Sequence, residues 1–190
     1  MKKIVWFMHV SLDGFVAGPN DEIDWVKVDE EIFDYAGNRT DEADTALYGR
    51  KTFELMEGYW PTAADQPNAT KHDIKHATWY KKVRKVVVST TMKGQNLPNT
   101  TIISENIEEE IGKLKQGSGK EIVIFGSPSI GQLLSAANLV DDYWLFVNPI
   151  LLGNGMPLFK GGKDRKNLKL VTSHAFTSGV ICLHYEKSQA

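Results

Sequence analysis

The chain has 190 residues, 42% of them apolar and 24% charged, with 22 basic against 24 acidic side chains. That balance suits a globular domain and gives no electrostatic reason to expect nucleic acid or an anionic membrane as a partner. No apolar run approaches the ~20 residues of a spanning helix, and the single cysteine, Cys182, excludes an internal disulfide and fits a reducing cytoplasm.

A chain of this length is expected to form one domain, residues 1–190. The opening MKKIVWFMHVSLDGF reads as a strand from Ile4 to Val10 stopped by the turn pair Asp13-Gly14, since its apolar stretch is short and lacks the cleavage site of a signal peptide. Gly18-Pro19-Asn20 marks a loop. From Asp29, the run DEEIFDYAGN has acids in its first turn and Ile32, Phe33 and Ala36 at helical spacing, which predicts a helix to about Gly37. A strand from Thr45 to Tyr48 and a helix from Lys51 to Glu57 follow. Pro61 to Ala69 is expected to be a polar excursion, and residues 71–82 to be weakly helical.

Further strands are expected at Lys85 to Ser89, Thr101 to Ser104 and Glu121 to Phe125, with helices over Ile107 to Lys115 and Ser129 to Ala137. The last third reads differently: Tyr143 to Val147, Leu168 to Ser173 and Val180 to Glu186 are strands with no long helix between them. Alternation followed by a strand-rich tail predicts an α/β domain, its sheet mostly parallel with antiparallel strands at the end.

Two strand-to-helix turns carry glycine. In ADTALYGRKTFE the strand breaks at Gly49 and a helix begins through Arg50, Lys51 and Thr52. A helix start offers unpaired N–H groups and a positive dipole end, so two cations and a hydroxyl there make a seat for phosphate. In IVIFGSPSIGQLL, Gly126 and Gly131 are expected to admit pyrophosphate closely, with Ser127 and Ser129 as donors; the pattern is neither GxGxxG nor a P-loop. Ser89-Thr90-Thr91 ends the strand KVVVS, where open α/β sheets bind ligands, and with Arg50 or Lys51 would favour an adenosine 2′-phosphate. Each motif also has a plain reading as turn chemistry.

Among carboxylates, Asp13, Asp24, Asp29, Glu30 and Glu31 are candidates to fix a substrate N–H or deliver a proton, against capping for Asp29 to Glu31 and turn formation for Asp13. His72 and His76 stand four apart, as in HExxH, but Asp73 replaces the glutamate and no third ligand follows, so no metal is expected. His9, His174 and His184 fall in predicted strands and read as structural. Trp6, Trp25 and Phe53 are either stacking surface or core.

In order, SLDGFVAG, ADTALYGRKTFE, KVVVST, EIVIFGSPSIGQLL and VNPILLGNGMPLF resemble the dihydrofolate reductase-like superfamily, in the branch of the bacterial riboflavin-biosynthesis reductase domain. No deaminase segment or zinc motif precedes them, which resembles a stand-alone member. The resemblance implies a three-layer α/β/α domain with NADPH across the carboxyl ends of the central strands. By motif, Gly49, Arg50, Lys51 and Thr52 would receive cofactor phosphate, and Ser89 and Thr90 would lie near the 2′-phosphate. Gly126, Ser127, Ser129 and Ile130 would line the pyrophosphate and nicotinamide side, and Val16 and Ala17 would approach the nicotinamide.

Asp29 is the best-placed acidic anchor by resemblance, with Asp13 and Asp34 as alternatives. The implied activity is hydride transfer to a riboflavin-pathway ribosylaminopyrimidine or, second, to a pterin or dihydrofolate. A nucleotide- or pterin-binding protein without turnover, and a metal hydrolase built on His72 and His76, are the competing readings. The segment Tyr143 to Leu152 either forms an edge-strand homodimer, as the resemblance implies, or fills the core.

Overall fold

A computed structural model describes residues 1–160 and 165–188, apart from the side chain of Asn38. In chain order the elements are β1 (Ile4–Ser11), β2 (Phe15–Ala17), α1 (Glu30–Glu42), β3 (Ala43–Gly49), α2 (Arg50–Ala63), α3 (Lys71–Lys82), β4 (Arg84–Val88) and β5 (Thr100–Ile103). Then come α4 (Ile107–Gln116), β6 (Glu121–Phe125), α5 (Pro128–Ala136), β7 (Asp142–Asn148), β8 (Met156–Pro157), β9 (Leu168–Ala175) and β10 (Ile181–Lys187). Eight strands form one sheet in the order β5-β4-β3-β6-β1-β7-β10-β9. The pairs from β5 to β7 are parallel, and β10 runs antiparallel to both β7 and β9. This is the mostly parallel mixed sheet read from the sequence.

Strand alternation sorts the core into two layers. Ile4, Trp6, Met8 and Val10 of β1 join Ile122, Ile124, Ile111 and Leu134 on the α4 and α5 side. Val5 and Phe7 join Ile32, Phe53, Tyr80, Phe125 and Phe146 on the side of α1, α2 and α3. Central strands buried on both faces read as continuous apolar runs for this reason.

Two helices differ from expectation. Helix α1 runs past Gly37 to Glu42, because Thr40 Oγ1 donates to the Gly37 carbonyl and Arg39 pairs with Glu121 while lying 4.9 Å over the Trp144 ring. Helix α2 passes through Pro61 to Ala63, where a loop was expected. Proline costs one backbone bond there, but Trp60 packs 4.0 Å from His76, ring centre to ring centre, and ties that turn to α3. For Tyr143 to Val147 the sheet order favours the core reading: β7 lies between β1 and β10, and the sheet edges are β5 and β9. The short pair β2 and β8 was not legible at all.

Candidate functional site

The parallel strands β4, β3, β6 and β1 lie side by side, so the connections leaving their carboxyl ends emerge as neighbours. Gly49 is in register with Val88, Leu47 with Ile124, and Phe7 with Phe125. Ser89-Thr90, Gly49 to Thr52, Gly126 to Ile130 and the Ser11 to Ala17 loop therefore share one rim.

The two glycine turns touch. The Gly49 N–H donates to Ser127 Oγ at 3.0 Å. A Cβ built on Gly49 would lie 3.2 Å from Ile130 Cγ1, and one on Gly126 would lie 3.7 Å from Thr52 Cγ2. Gly126 has φ +61°, which only glycine adopts freely, and the buried Ser127 follows at φ +48°. Ser127 Oγ serves Gly49 rather than its own helix, and the N-cap of α2 is Gly49 itself, so neither α2 nor α5 has a side-chain cap, and neither has an acid in its first turn. Ser129 stands exposed in the first turn of α5.

Other sequence-derived candidates have protein partners. Arg50 Nη1 donates to both Glu54 carboxylate oxygens at 3.0 Å, and Lys51 Nζ to Asp21 Oδ2 at 3.0 Å. Ser89 is buried and its Oγ accepts from the Met92 N–H at 3.2 Å, whereas Thr90 is exposed. Val16 and Ala17 bury their side chains in β2. Asp29 caps α1, its Oδ1 accepting from the Ile32 N–H at 2.8 Å.

Asp13 clamps two loops: it accepts from Ser11 Oγ at 2.6 Å and from the N–H groups of Leu152 and Gly153 at 3.1 and 2.7 Å. Those bonds, the Ser11 hydroxyl foremost, hold its carboxyl below the usual range, so it is a structural anion. One expectation needs correction. Gly131 faces the core, where a Cβ would overlap the Trp6 ring, so it does not admit a phosphate. Of their two readings Trp6 and Phe53 take the core one, the Trp6 indole N–H donating to the Gly126 carbonyl at 2.9 Å.

Beside this rim, α1 and α3 close over the sheet and leave a cavity of about 130 Å³. Phe7, His9, Phe125, Phe33, Trp60, His72 and His76 are among its walls. Phe125, one of the walls, is the last residue of β6 and is followed in the chain by Gly126. His72 stacks on Phe33 at 3.7 Å between ring centres. Burial pushes His9 down to about 4 and His76, with His72 adding repulsion, down to about 3, so both rings are neutral at pH 7.

Among the described residues no group of three or more His, Cys, Asp or Glu side chains is placed to hold a metal ion. Sequence reasoning treated His9 as structural. The available signal was period two: in Val5, Phe7 and His9 one face of β1 turns from apolar to polar. Among the described residues, no helix is long and apolar enough to cross a membrane.

A family model described as the RibD C-terminal domain matches residues 2–182. The chain is 37% identical over 187 residues to the uncharacterized protein YyaP of Bacillus subtilis (strain 168), covering 97% of this chain and 94% of YyaP. It is 27% identical over 188 residues to the uncharacterized protein YwjB of the same organism, covering 98% and 99%. Among solved structures, a putative riboflavin biosynthesis protein from Shewanella sp. PV-4 superposes with a TM-score of 0.71 at 20% identity, each chain covered in full.

A pyrimidine reductase-like protein from Corynebacterium diphtheriae gives 0.67 at 15% identity, with 100% of this chain and 93% of that one covered. The diaminohydroxyphosphoribosylaminopyrimidine deaminase/5-amino-6-(5-phosphoribosylamino)uracil reductase of Thermotoga maritima gives 0.69 at 11% identity, over 98% of this chain and 57% of that one. At such identities the structural matches establish the fold. With the family model spanning nearly the whole sequence, the chain belongs to the RibD C-terminal domain family.

Proposed function

We propose that this protein is an NADPH-dependent reductase that delivers hydride to a C=N or C=O group of a small heterocyclic substrate. The observation that carries this reading is the meeting of two bare helix N-termini at Gly49 and Ser127. The other three helices have carboxylates in their first turns: Glu30 and Glu31 in α1, Asp73 in α3, Glu108 to Glu110 in α4. Those acids offset the positive end of each helix dipole. Among the described helices only α2 and α5, which touch, leave it free for an external anion. The hydroxyls of Thr52 and Ser129, in the first turns of the two helices, fit a pyrophosphate.

When bound, NADPH supplies the hydride with its electron pair. The chain's own residues bind and orient. Arg50 and Lys51 are held in exposed ion pairs worth ~0–1 kcal/mol, so a phosphate dianion competes effectively for them. Ser89 and Thr90 stand at the neighbouring strand end for the 2′-phosphate, and Val16, Ala17 and Ile130 wall the nicotinamide side. The substrate ring enters the cavity under α1, which excludes water from the reacting carbon. Asp29 at the start of α1 orients the water that gives the substrate nitrogen or oxygen its proton, through Oδ2, which makes no hydrogen bond among the described residues. The substrate is a ribosylaminopyrimidine of the kind named for the Thermotoga maritima protein, or a pterin or dihydrofolate.

Thermal-shift screening with NADPH, NADH, flavins and pterins tests the reading, because a ligand that binds only the folded state raises its stability by mass action. NADPH is expected to give the largest shift, with consumption in the presence of a pterin or pyrimidine. A second reading, nucleotide or pterin binding without turnover, is favoured by cavity walls that include no carboxylate. NADPH quenching without consumption by any substrate would select it. The proposal includes a homodimer. Strand β9 is exposed along its whole length, with Leu168, Leu170 and Val171 on an open edge, and light scattering on a Leu170→Lys variant checks that pairing.

A further inference from the structure

The cavity under α1 and α3 is aromatic and electrically neutral. Among the described residues its walls contain no lysine, arginine, aspartate or glutamate, and its ionisable members are three histidines. A nearby cation, Lys75, is committed to Asp41 at 2.9 Å. A phosphate buried in such a space has no counter-charge, and an unpaired buried charge is expensive. At about 130 Å³ the cavity has the size of one six-membered ring.

Among the polar side chains in its walls, His9 is set by a neighbour outside the cavity, Asn148. Asn148 is fully buried, and its amide orientation follows from its bonds. Oδ1 accepts from the Lys27 N–H at 2.9 Å, and Nδ2 donates to the Phe146 carbonyl at 3.0 Å. Nδ2 also lies 3.4 Å from His9 Nδ1. Since Nδ2 is a donor, His9 Nδ1 must be the acceptor, and a neutral imidazole then carries its proton on Nε2. Among the described residues His9 Nε2 has no hydrogen-bond partner.

Resting on the reductase reading, we infer that this site takes an uncharged, unphosphorylated planar ring whose carbonyl or ring nitrogen accepts a hydrogen bond from His9 Nε2–H, with Asn148 as the positioning residue that fixes the tautomer. Of the two substrate kinds proposed above, it favours the flat ring without a phosphoribosyl group. Aromatic faces of Phe33, Trp60 and His76 supply stacking for such a ring.

The test uses a matched pair, benzaldehyde and 4-formylphenyl phosphate, titrated calorimetrically into the full chain with NADPH present, after NADPH binding has been measured separately. Benzaldehyde should bind at least about tenfold tighter than its phosphate analogue, the direction set by the uncompensated charge. Replacement His9→Phe keeps a ring of similar shape, and should weaken benzaldehyde by about tenfold, one hydrogen bond's worth, with NADPH affinity unchanged. Nitrogen-15 NMR of the wild-type imidazoles should show His9 as the Nε2–H tautomer, perturbed by benzaldehyde. Equal or tighter binding of the phosphate, no binding of benzaldehyde up to its solubility, or an Nδ1–H tautomer would each overturn the inference. Loss of NADPH binding alone would instead strike the parent reading.

Discussion

The Gly49 amide and the Ser127 hydroxyl, 3.0 Å apart, join two turns separated by several secondary-structure elements. The same hydroxyl that secures Gly49 is withheld from capping α5, and α2, whose N-cap is Gly49, has no side chain to cap it. Substitution Ser127→Ala removes the acceptor while keeping the volume similar. Leaving a buried N–H without its partner costs about 1–3 kcal/mol. Urea denaturation should show that loss, and NADPH affinity should fall with it as the two turns separate.

At Gly131 the expected effect is on packing. A methyl group there would overlap the Trp6 ring, and Trp6 is fully buried. Overfilling a close-packed core costs typically ~1–3 kcal/mol. Gly131→Ala should therefore lower the melting temperature, and a paired Gly131→Ala, Trp6→Phe variant should recover part of the loss.

Asp29 has two separable roles. Asparagine is as good an N-cap as aspartate, whereas alanine forfeits about 1 kcal/mol. Asp29→Asn should fold with near wild-type stability and turn over slowly, while Asp29→Ala loses both. Denaturation midpoints measured beside steady-state rates separate the two. Full activity in Asp29→Asn would remove Asp29 from proton delivery.

Stability should fall as the solution is acidified through the histidine range. His9 and His76 are pushed from 6.5 to about 4 and about 3, mainly by burial. His9 faces Asn148, Phe7 and Phe146, while His76 faces His72 and Trp60, with Asp73 opposing the shift. Below pH 6.5 the unfolded chain takes up protons that the folded chain refuses, so folding weakens by about 1.4 kcal/mol per pH unit for each histidine until its folded pKa is reached. Above pH 6.5 neither contributes. Denaturation at pH 7.5 and 5 should show this slope (about 1.4 kcal/mol per unit from each ring), and His9→Phe should remove its share.

Much of the sheet was legible because its central strands announce themselves as apolar runs ending in glycine or serine. Leu47, Val87 and Ile124 lie in such runs, and the strand-rich tail marks the antiparallel return of β10. Helix ends were less legible. Pro61 sits inside α2 because Trp60 meets α3, and Arg39 prolongs α1 because Glu121 and Trp144 await it. Those contacts join residues far apart in sequence, so no local pattern encodes them. For the same reason Lys51 gave no sign of its partner Asp21, and His9 gave none of the cavity that α1 and α3 enclose around it, whereas Arg50 and Glu54 are four apart on α2, a spacing that local pattern does encode.

The central claim, one reduced dinucleotide held where α2 and α5 meet, is tested most directly by calorimetric titration of NADPH into the wild type and the Arg50→Ala variant. A single saturable site is predicted, weakened in the variant by roughly 1.5–3 kcal/mol, the worth of one charge-assisted hydrogen bond. No NADPH binding by the wild type, or identical affinity in the variant, would contradict it.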